Sequence, residues 1–177
     1  MRYMIAHMLK GDAKAYHANL STVLASMYHL RPVTNIIDPH LTIKSAFEAT
    51  EISEVEQIVS ESSLFAEAAP YMLKGFNAVA DRLIFMNVEP SLEMNMVIQK
   101  IQNQLQNIPW LEFRSHEIPP KLHATLCFPK SRTQRDDMLE RLRKVEHAPS
   151  FECMFDNIAI LKRGERRWEI LKEYSIG

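Results

Sequence analysis

Glycine is scarce in this chain, with four in 177 residues against nine prolines. Collagen-like and low-complexity classes are excluded on that count. Two cysteines, Cys127 and Cys153, are too few for a disulfide framework or a zinc signature and fit a reducing compartment. No apolar run approaches the length of a membrane span. Residues 1–9 are too short for a signal-peptide core and lack a small-residue cleavage site, so a cytoplasmic location is expected. Charge of one sign is missing too: 21 basic and 22 acidic residues leave a net charge of −1. Residues 1–113 carry 8 basic and 12 acidic side chains and residues 114–177 carry 13 and 10. That mild asymmetry lacks the basic stripe of a protein that clings to long nucleic acid; a short or terminal phosphate fits better. The 46% apolar and 24% charged fractions are those of a globular protein, and 177 residues suffice for one compact domain with a sizeable core.

Two short stretches stand out against this background: His40-Leu41-Thr42-Ile43 and His123-Ala124-Thr125-Leu126. Each reads His-x-Thr-apolar inside an apolar run bounded by prolines, as a buried strand would. Strand side chains alternate. His40 and Thr42 therefore share one face, His123 and Thr125 another, with Leu41, Ile43, Ala124, Leu126 and Phe128 turned away. With seven histidines and six threonines, chance gives roughly 0.2 His-x-Thr triplets, so two with repeated surroundings carry weight.

The surroundings do repeat. Residues 2–9 read as a strand, and residues 13–28 as a helix with Asp12 as N-cap and Leu20, Val23, Leu24 and Met27 at helical spacing. The first motif strand is expected over 40–45. Ser53 and Glu56 form a capping box for a helix to about Ser63. Strand-like runs follow over 69–79 and 82–88, turning at Ala80-Asp81. The pattern then restarts. Ser91 caps a helix with Met94, Val97, Ile98, Ile101 and Leu105 on one face. A short strand is expected at 110–113, and Pro119-Pro120 leads into the second motif strand over 121–128. Thr133 caps a helix carrying Met138, Leu139, Leu142 and Val145, and strands over 151–161 and 167–174 turn around Gly164. The period is near 83 residues, from His40 to His123. The expected fold is therefore α+β: one domain over 1–177, with pseudo-twofold lobes of about 1–90 and 91–177 (terminal strands exchangeable between them), antiparallel sheets lining a cleft and helices outside.

On the paired motifs, the opening strand and the closing hairpin Asn157-Ile158-Ala159-Ile160-Leu161…Trp168-Glu169-Ile170-Leu171, the chain resembles the 2H phosphoesterase superfamily. It is most similar to the branch of 2′-5′ RNA ligases and RNA 2′,3′-cyclic phosphodiesterases. Bacterial cyclic phosphodiesterases tend to carry a basic residue soon after the second motif, where this chain has Cys127; here the in-register basic residue is Lys44. The resemblance implies opening of a 2′,3′-cyclic phosphate to a 2′-phosphate, with His40 as leaving-group acid and His123 as base. The residues alone leave open which histidine does which.

The chemistry agrees with the residue types. Histidine is suited to be both acid and base near neutral pH, and threonine hydroxyls can donate to phosphate oxygens as charge develops. The catalytic set is thus His40, Thr42, His123 and Thr125, with a bell-shaped pH profile expected between roughly pH 5 and 8. Lys44, on the His40 face, and Lys130, past the second motif, are candidate phosphate contacts. Strand-end lysines are more often solvated, and residues 130–135 read equally well as a basic loop. His7 reads as core; His17, His29, His116 and His147 read as surface or structural. His123 and Cys127 are too far apart on a strand, about 13 Å, to share an ion, so neither metal nor cofactor is expected. Partners are RNA ends or small cyclic nucleotides, with no membrane and a monomeric state. The alternatives are a 2′-5′ oligonucleotide phosphodiesterase or ligase and, in another class, a non-catalytic nucleotide-binding module.

Overall fold

The computed structural model describes residues 1–80, 83–118, 121–144 and 149–177; Asp81, Arg82, Pro119-Pro120, Val145 and His147 lie outside the described residues. The order of elements is β1 (Arg2–Met8), α1 (Gly11–Met27), β2 (His40–Glu48), α2 (Ser53–Leu64), β3 (Ala69–Val79), β4 (Leu83–Pro90), α3 (Leu92–Leu105), β5 (His123–Cys127), α4 (Arg132–Arg143), β6 (Ser150–Phe155), β7 (Asn157–Arg163) and β8 (Trp168–Ser175). They form two four-stranded sheets, β2-β1-β7-β8 and β5-β4-β3-β6, antiparallel throughout. The two motif strands, β2 and β5, hold equivalent edges of the two sheets. No helix among the described residues is long and apolar enough to cross a membrane.

Helix placement follows the apolar stripes. On α3, Met94, Ile98, Ile101 and Leu105 are all fully buried, the spacing of one helical face. Each such side chain contributes about 1.5–3 kcal/mol by leaving water. One helix crosses to the other sheet and another bridges the two. α1, between β1 and β2 in the chain, packs on β5 and β6, whereas α3, between β4 and β5, packs on β2 and β3. α2 covers β7 and β8, and α4 covers β3 and β4.

Local chemistry sets the differences from the sequence expectations. Ser91 caps α3 as expected, its hydroxyl accepting from the Met94 N–H. On α4 the cap is Ser131, which accepts from Gln134 N–H, rather than Thr133. α1 starts after Lys10 with Asp12 inside its first turn, and neither α1 nor α2 has a side-chain cap; Ser53 instead donates to Glu51. Residues 110–113 are not a strand. The run expected as one strand over 151–161 is two, β6 in one sheet and β7 in the other, parted at Asp156.

Asn157 manages that transfer between sheets. Its Oδ1 accepts from the Met8 N–H at 2.9 Å and its Nδ2 donates to the Met8 carbonyl at 3.0 Å, so a side chain stands in for a ladder partner. Its own carbonyl accepts from His7 Nδ1 at 3.0 Å, and Tyr71 Oη donates to His7 Nε2 at 3.0 Å. His7 is accordingly a satisfied core residue, 1% exposed. Replacing Asn157 by Ala strands both Met8 groups in the interior, at about 1–3 kcal/mol. Urea unfolding is expected to show a lower midpoint at unchanged slope; an unchanged midpoint would show that the contact contributes nothing.

Candidate active site

Each motif strand contains one surplus residue at the same place. Ala6 faces Thr42 and Ile5 faces Lys44, leaving Ile43 without a partner on β1. Phe85 faces Thr125 and Ile84 faces Cys127, leaving Leu126 without a partner on β4. A β-bulge thus follows each His-x-Thr, and a helix satisfies it. Gln102 Nε2 of α3 donates to the Ile43 carbonyl at 2.8 Å, and Ser21 Oγ of α1 donates to the Leu126 carbonyl at 2.7 Å.

Before the bulge, alternation holds: Leu41, Ile43, Ala124 and Leu126 are buried, while His40, Thr42, His123 and Thr125 are partly exposed. The imidazoles are oriented identically. His40 Nδ1 donates to the Asp38 carbonyl at 2.8 Å and His123 Nδ1 to the Lys121 carbonyl at 2.7 Å, in each case two residues back. With Nδ1 carrying the proton, Nε2 of each neutral ring is bare and free for proton transfer. β2 and β5 face each other, and the rings sense one another. Burial, partly offset by the Asp38 carbonyl and reinforced by the charge of His123, lowers His40 from 6.5 to about 4. That removes His40 from the pH 5–8 window expected from sequence. Neither threonine hydroxyl has a partner among the described residues. Phe85 lies against His123 with ring centroids 5.0 Å apart.

After the bulge, the expectations based on alternation fail. Lys44 does not share the His40 face: it is 2% exposed, its Nζ donating to both carboxylate oxygens of Glu117 at 3.0 and 3.3 Å and lying 4.5 Å from the Phe113 ring centre. The bulge turned it inward, so it is an internal counter-ion rather than a phosphate contact. Phe128 is likewise exposed rather than apolar-facing. Lys130 is exposed and donates to the His29 carbonyl at 3.0 Å. Among the described residues no His, Cys, Asp or Glu cluster is arranged for a metal ion.

Glu117 ties the site together. Besides Lys44 it accepts from Ser45 N–H at 2.9 Å, Ser45 Oγ at 2.5 Å and Arg114 N–H at 2.6 Å. Gln102 also donates to its backbone carbonyl at 3.2 Å. Burial by itself would raise the carboxyl, but hydrogen bonds from Ser45, Arg114 and Lys44 outweigh it and hold Glu117 at about 2. Sequence reasoning missed Glu117, Gln102 and Ser21; the one available signal was a polar Gln102 on the apolar face of α3.

Comparison with known proteins fits this geometry. The family model described as "2'-5' RNA ligase superfamily" matches residues 21–167. A Bacillus pumilus protein named "Putative phosphoesterase" is 26% identical over 163 residues, covering 87% of this chain and 90% of its own. Among solved structures, the Thermus thermophilus protein TT0787 superposes with a TM-score of 0.64 at 12% identity, over 99% of this chain and 98% of that one. E. coli LigT in its apo form gives 0.60 at 14% identity, over 99% and 96%. LigT has also been solved with 3′-AMP, at 0.60 and 13% identity over 99% and 97%.

Two outcomes follow for stability. Glu117→Leu leaves the Lys44 ammonium buried without a counter-charge and is expected to cost about 3–5 kcal/mol in chemical denaturation; Lys44→Met, which leaves Glu117 its other donors, is expected to cost less. The second concerns pH. Burial lowers His7, His17 and His40 from 6.5 to about 4. Between those values the unfolded chain binds more protons, so stability falls as pH drops from 6.5 toward 4. Glu117, lowered from 4.5 to about 2, adds a further loss only as pH falls from 4.5 through 2. A melting temperature constant from pH 7 to pH 4 would contradict the burial of these imidazoles.

Proposed function

Because the chain belongs to the 2′-5′ RNA ligase superfamily, we propose that it is a phosphodiesterase opening the 2′,3′-cyclic phosphate of RNA or nucleotide ends to a 2′-phosphate. The observation that carries this reading is the matched pair of imidazoles, each fixed through Nδ1 to a carbonyl two residues back and each beside an unengaged threonine hydroxyl. In the reaction a water oxygen bonds to phosphorus as the P–O3′ bond breaks. The water proton goes to one Nε2, and the 3′ oxygen takes a proton from the other histidine. By resemblance, His40 protonates the leaving oxygen and His123 takes the water proton. Thr42 and Thr125 donate to the non-bridging oxygens as charge builds. No step is assigned to a metal or cofactor.

Assay of a 2′,3′-cyclic mononucleotide in EDTA separates this reading from a binding module, and product analysis separates 2′- from 3′-phosphate and hydrolysis from 2′-5′ joining. His40→Ala and His123→Ala are each expected to lower turnover by about 10²–10⁴-fold, and the double variant to be little worse, since groups acting as a unit are not additive. One limb of kcat/KM, which reports the free enzyme, is expected well below 6.5, toward the value of about 4 set for His40. Thr42→Val and Thr125→Val, which keep the branched shape, are expected to leave melting unchanged while lowering turnover up to roughly 10²–10³-fold. Normal turnover in a folded His123→Ala would falsify the scheme.

A further inference from the structure

The carbonyl that orients His40 is itself held from a distant part of the chain. Residues 36–39, which lead into β2, are fixed from several sides. Trp168 N–H, at the start of β8, donates to the Ile36 carbonyl at 2.7 Å, and Leu9 N–H donates to the Pro39 carbonyl at 3.0 Å. Between them, Arg167 Nη2 donates to the Asp38 carboxylate across 129 positions of chain. Lys14 Nζ of α1 lies 3.7 Å from the other oxygen of that carboxylate. Asp38 thus has two tasks. Its side chain receives Arg167 from the β7–β8 turn, and its backbone carbonyl receives His40 Nδ1 at 2.8 Å.

We propose that Arg167 is a positioning residue for His40 and acts through Asp38: the guanidinium fixes the carboxylate, and with it the peptide whose carbonyl holds the imidazole. The side chains of Arg167 and Asp38 are 43% and 41% exposed, and an ion pair so exposed adds little to stability. Its effect lies in geometry. Pro39 follows Asp38, which confines Asp38 to extended backbone; a fixed side chain then narrows further the rotation that aims its carbonyl. With Nδ1–H on that carbonyl, the proton that His40 gives or takes moves at Nε2. A ring released from it can turn, or carry its proton on Nε2 when neutral, and either change takes the exchanging nitrogen out of line. A displacement of about 1 Å can cost on the order of 10²-fold in rate. Arginine suits this task better than lysine, because its planar fork fixes direction as well as distance. The neighbouring Trp168 N–H seats the same turn on Ile36, so the guanidinium arrives in a set register.

The inference rests on the cyclic-phosphodiesterase reading for its turnover arm and is independent of it for its spectroscopic arm. Arg167→Leu, Arg167→Lys and Asp38→Ala are compared with the unsubstituted protein by thermal melting and by kcat and KM on a 2′,3′-cyclic nucleotide. The third readout is the nitrogen NMR shifts of the imidazoles near pH 7, assigned with His40→Ala and His123→Ala; they separate a neutral ring protonated at Nδ1 from one protonated at Nε2. The unsubstituted protein is expected to show His40 protonated at Nδ1. In Arg167→Leu the His40 signals are expected to move toward the Nε2–H form, while those of His123, held by the Lys121 carbonyl, stay in place. Its kcat is expected to fall about 10- to 100-fold with KM within about twofold, and its melting temperature to change by a few °C at most. Arg167→Lys, which keeps the charge, is expected to lie between. Asp38→Ala removes the carboxylate and keeps the carbonyl, so it is expected to match or exceed Arg167→Leu, with the double variant no worse than Asp38→Ala. Unmoved His40 signals in Arg167→Leu, or an unchanged kcat where the unsubstituted protein turns the nucleotide over, overturn the proposal. If Arg167→Leu does not fold, the same two readouts on Asp38→Ala decide. Shifted His40 signals with no turnover by the unsubstituted protein remove the cyclic-phosphodiesterase reading and leave the role of Arg167 standing.

Discussion

Both catalytic candidates ride on sheet edges, and an edge strand exposes backbone groups that have no ladder to enter. The architecture depends on how those groups are met. In β2 and β5 a single extra residue after the threonine breaks alternation and bends the strand; a polar side chain from a helix then takes the carbonyl of that residue, through Gln102 on one side and Ser21 on the other. The Ser45 N–H, also on the edge strand, is taken by Glu117. A hydrogen bond to a buried carbonyl is worth about 1 kcal/mol net, but leaving that carbonyl unpaired costs more. The two sheets are therefore held to one another by polar contacts as well as by the shared apolar core.

The same bulge accounts for the charge inside the protein. By turning Lys44 away from the His40 face it places an ammonium in the interior, which is tolerable only opposite a carboxylate with further donors. Glu117, just ahead of the second motif, supplies it. An ion pair rooted immediately after one motif and shortly before the other fixes where β2 lies relative to the chain entering β5. Both partners are buried, so the clasp lies inside the protein and not on the face of the histidines.

Much of this was legible in the sequence. Period-two alternation before the bulge put His40, Thr42, His123 and Thr125 on partly exposed faces, and the helical stripe of α3 was readable from Met94 to Leu105. The 83-residue repeat matches two four-stranded sheets, each with a motif strand on its edge. What was not legible follows from single-residue events. A bulge leaves no mark in a run such as Thr42-Ile43-Lys44, so Lys44 was placed on the wrong face, and Phe128 with it. The passage of the chain from one sheet to the other at Asp156 leaves the apolar pattern over 151–161 unbroken, because both halves are strand. Glu117 and His17 lie in segments whose local pattern reads as surface, and only tertiary packing buries them.

The crossing of α1 and the mixed strand order of the sheets have a consequence for how the chain reaches its native state. The sheet that bears His40 is assembled from the first strands and the last two, so β1 waits for β7, about 150 positions later in the chain. The other sheet is complete once Phe155 has been made, although the helix it needs, α1, was synthesised long before. Neither half of the duplicated sequence can close its own core. Such a topology has high contact order, for which loop-closure entropy must be met before the long-range pairings form, and folding is correspondingly slow. During synthesis the sheet that bears His40 is completed only when the hairpin β7-β8 has left the ribosome, so it is finished after the sheet that bears His123.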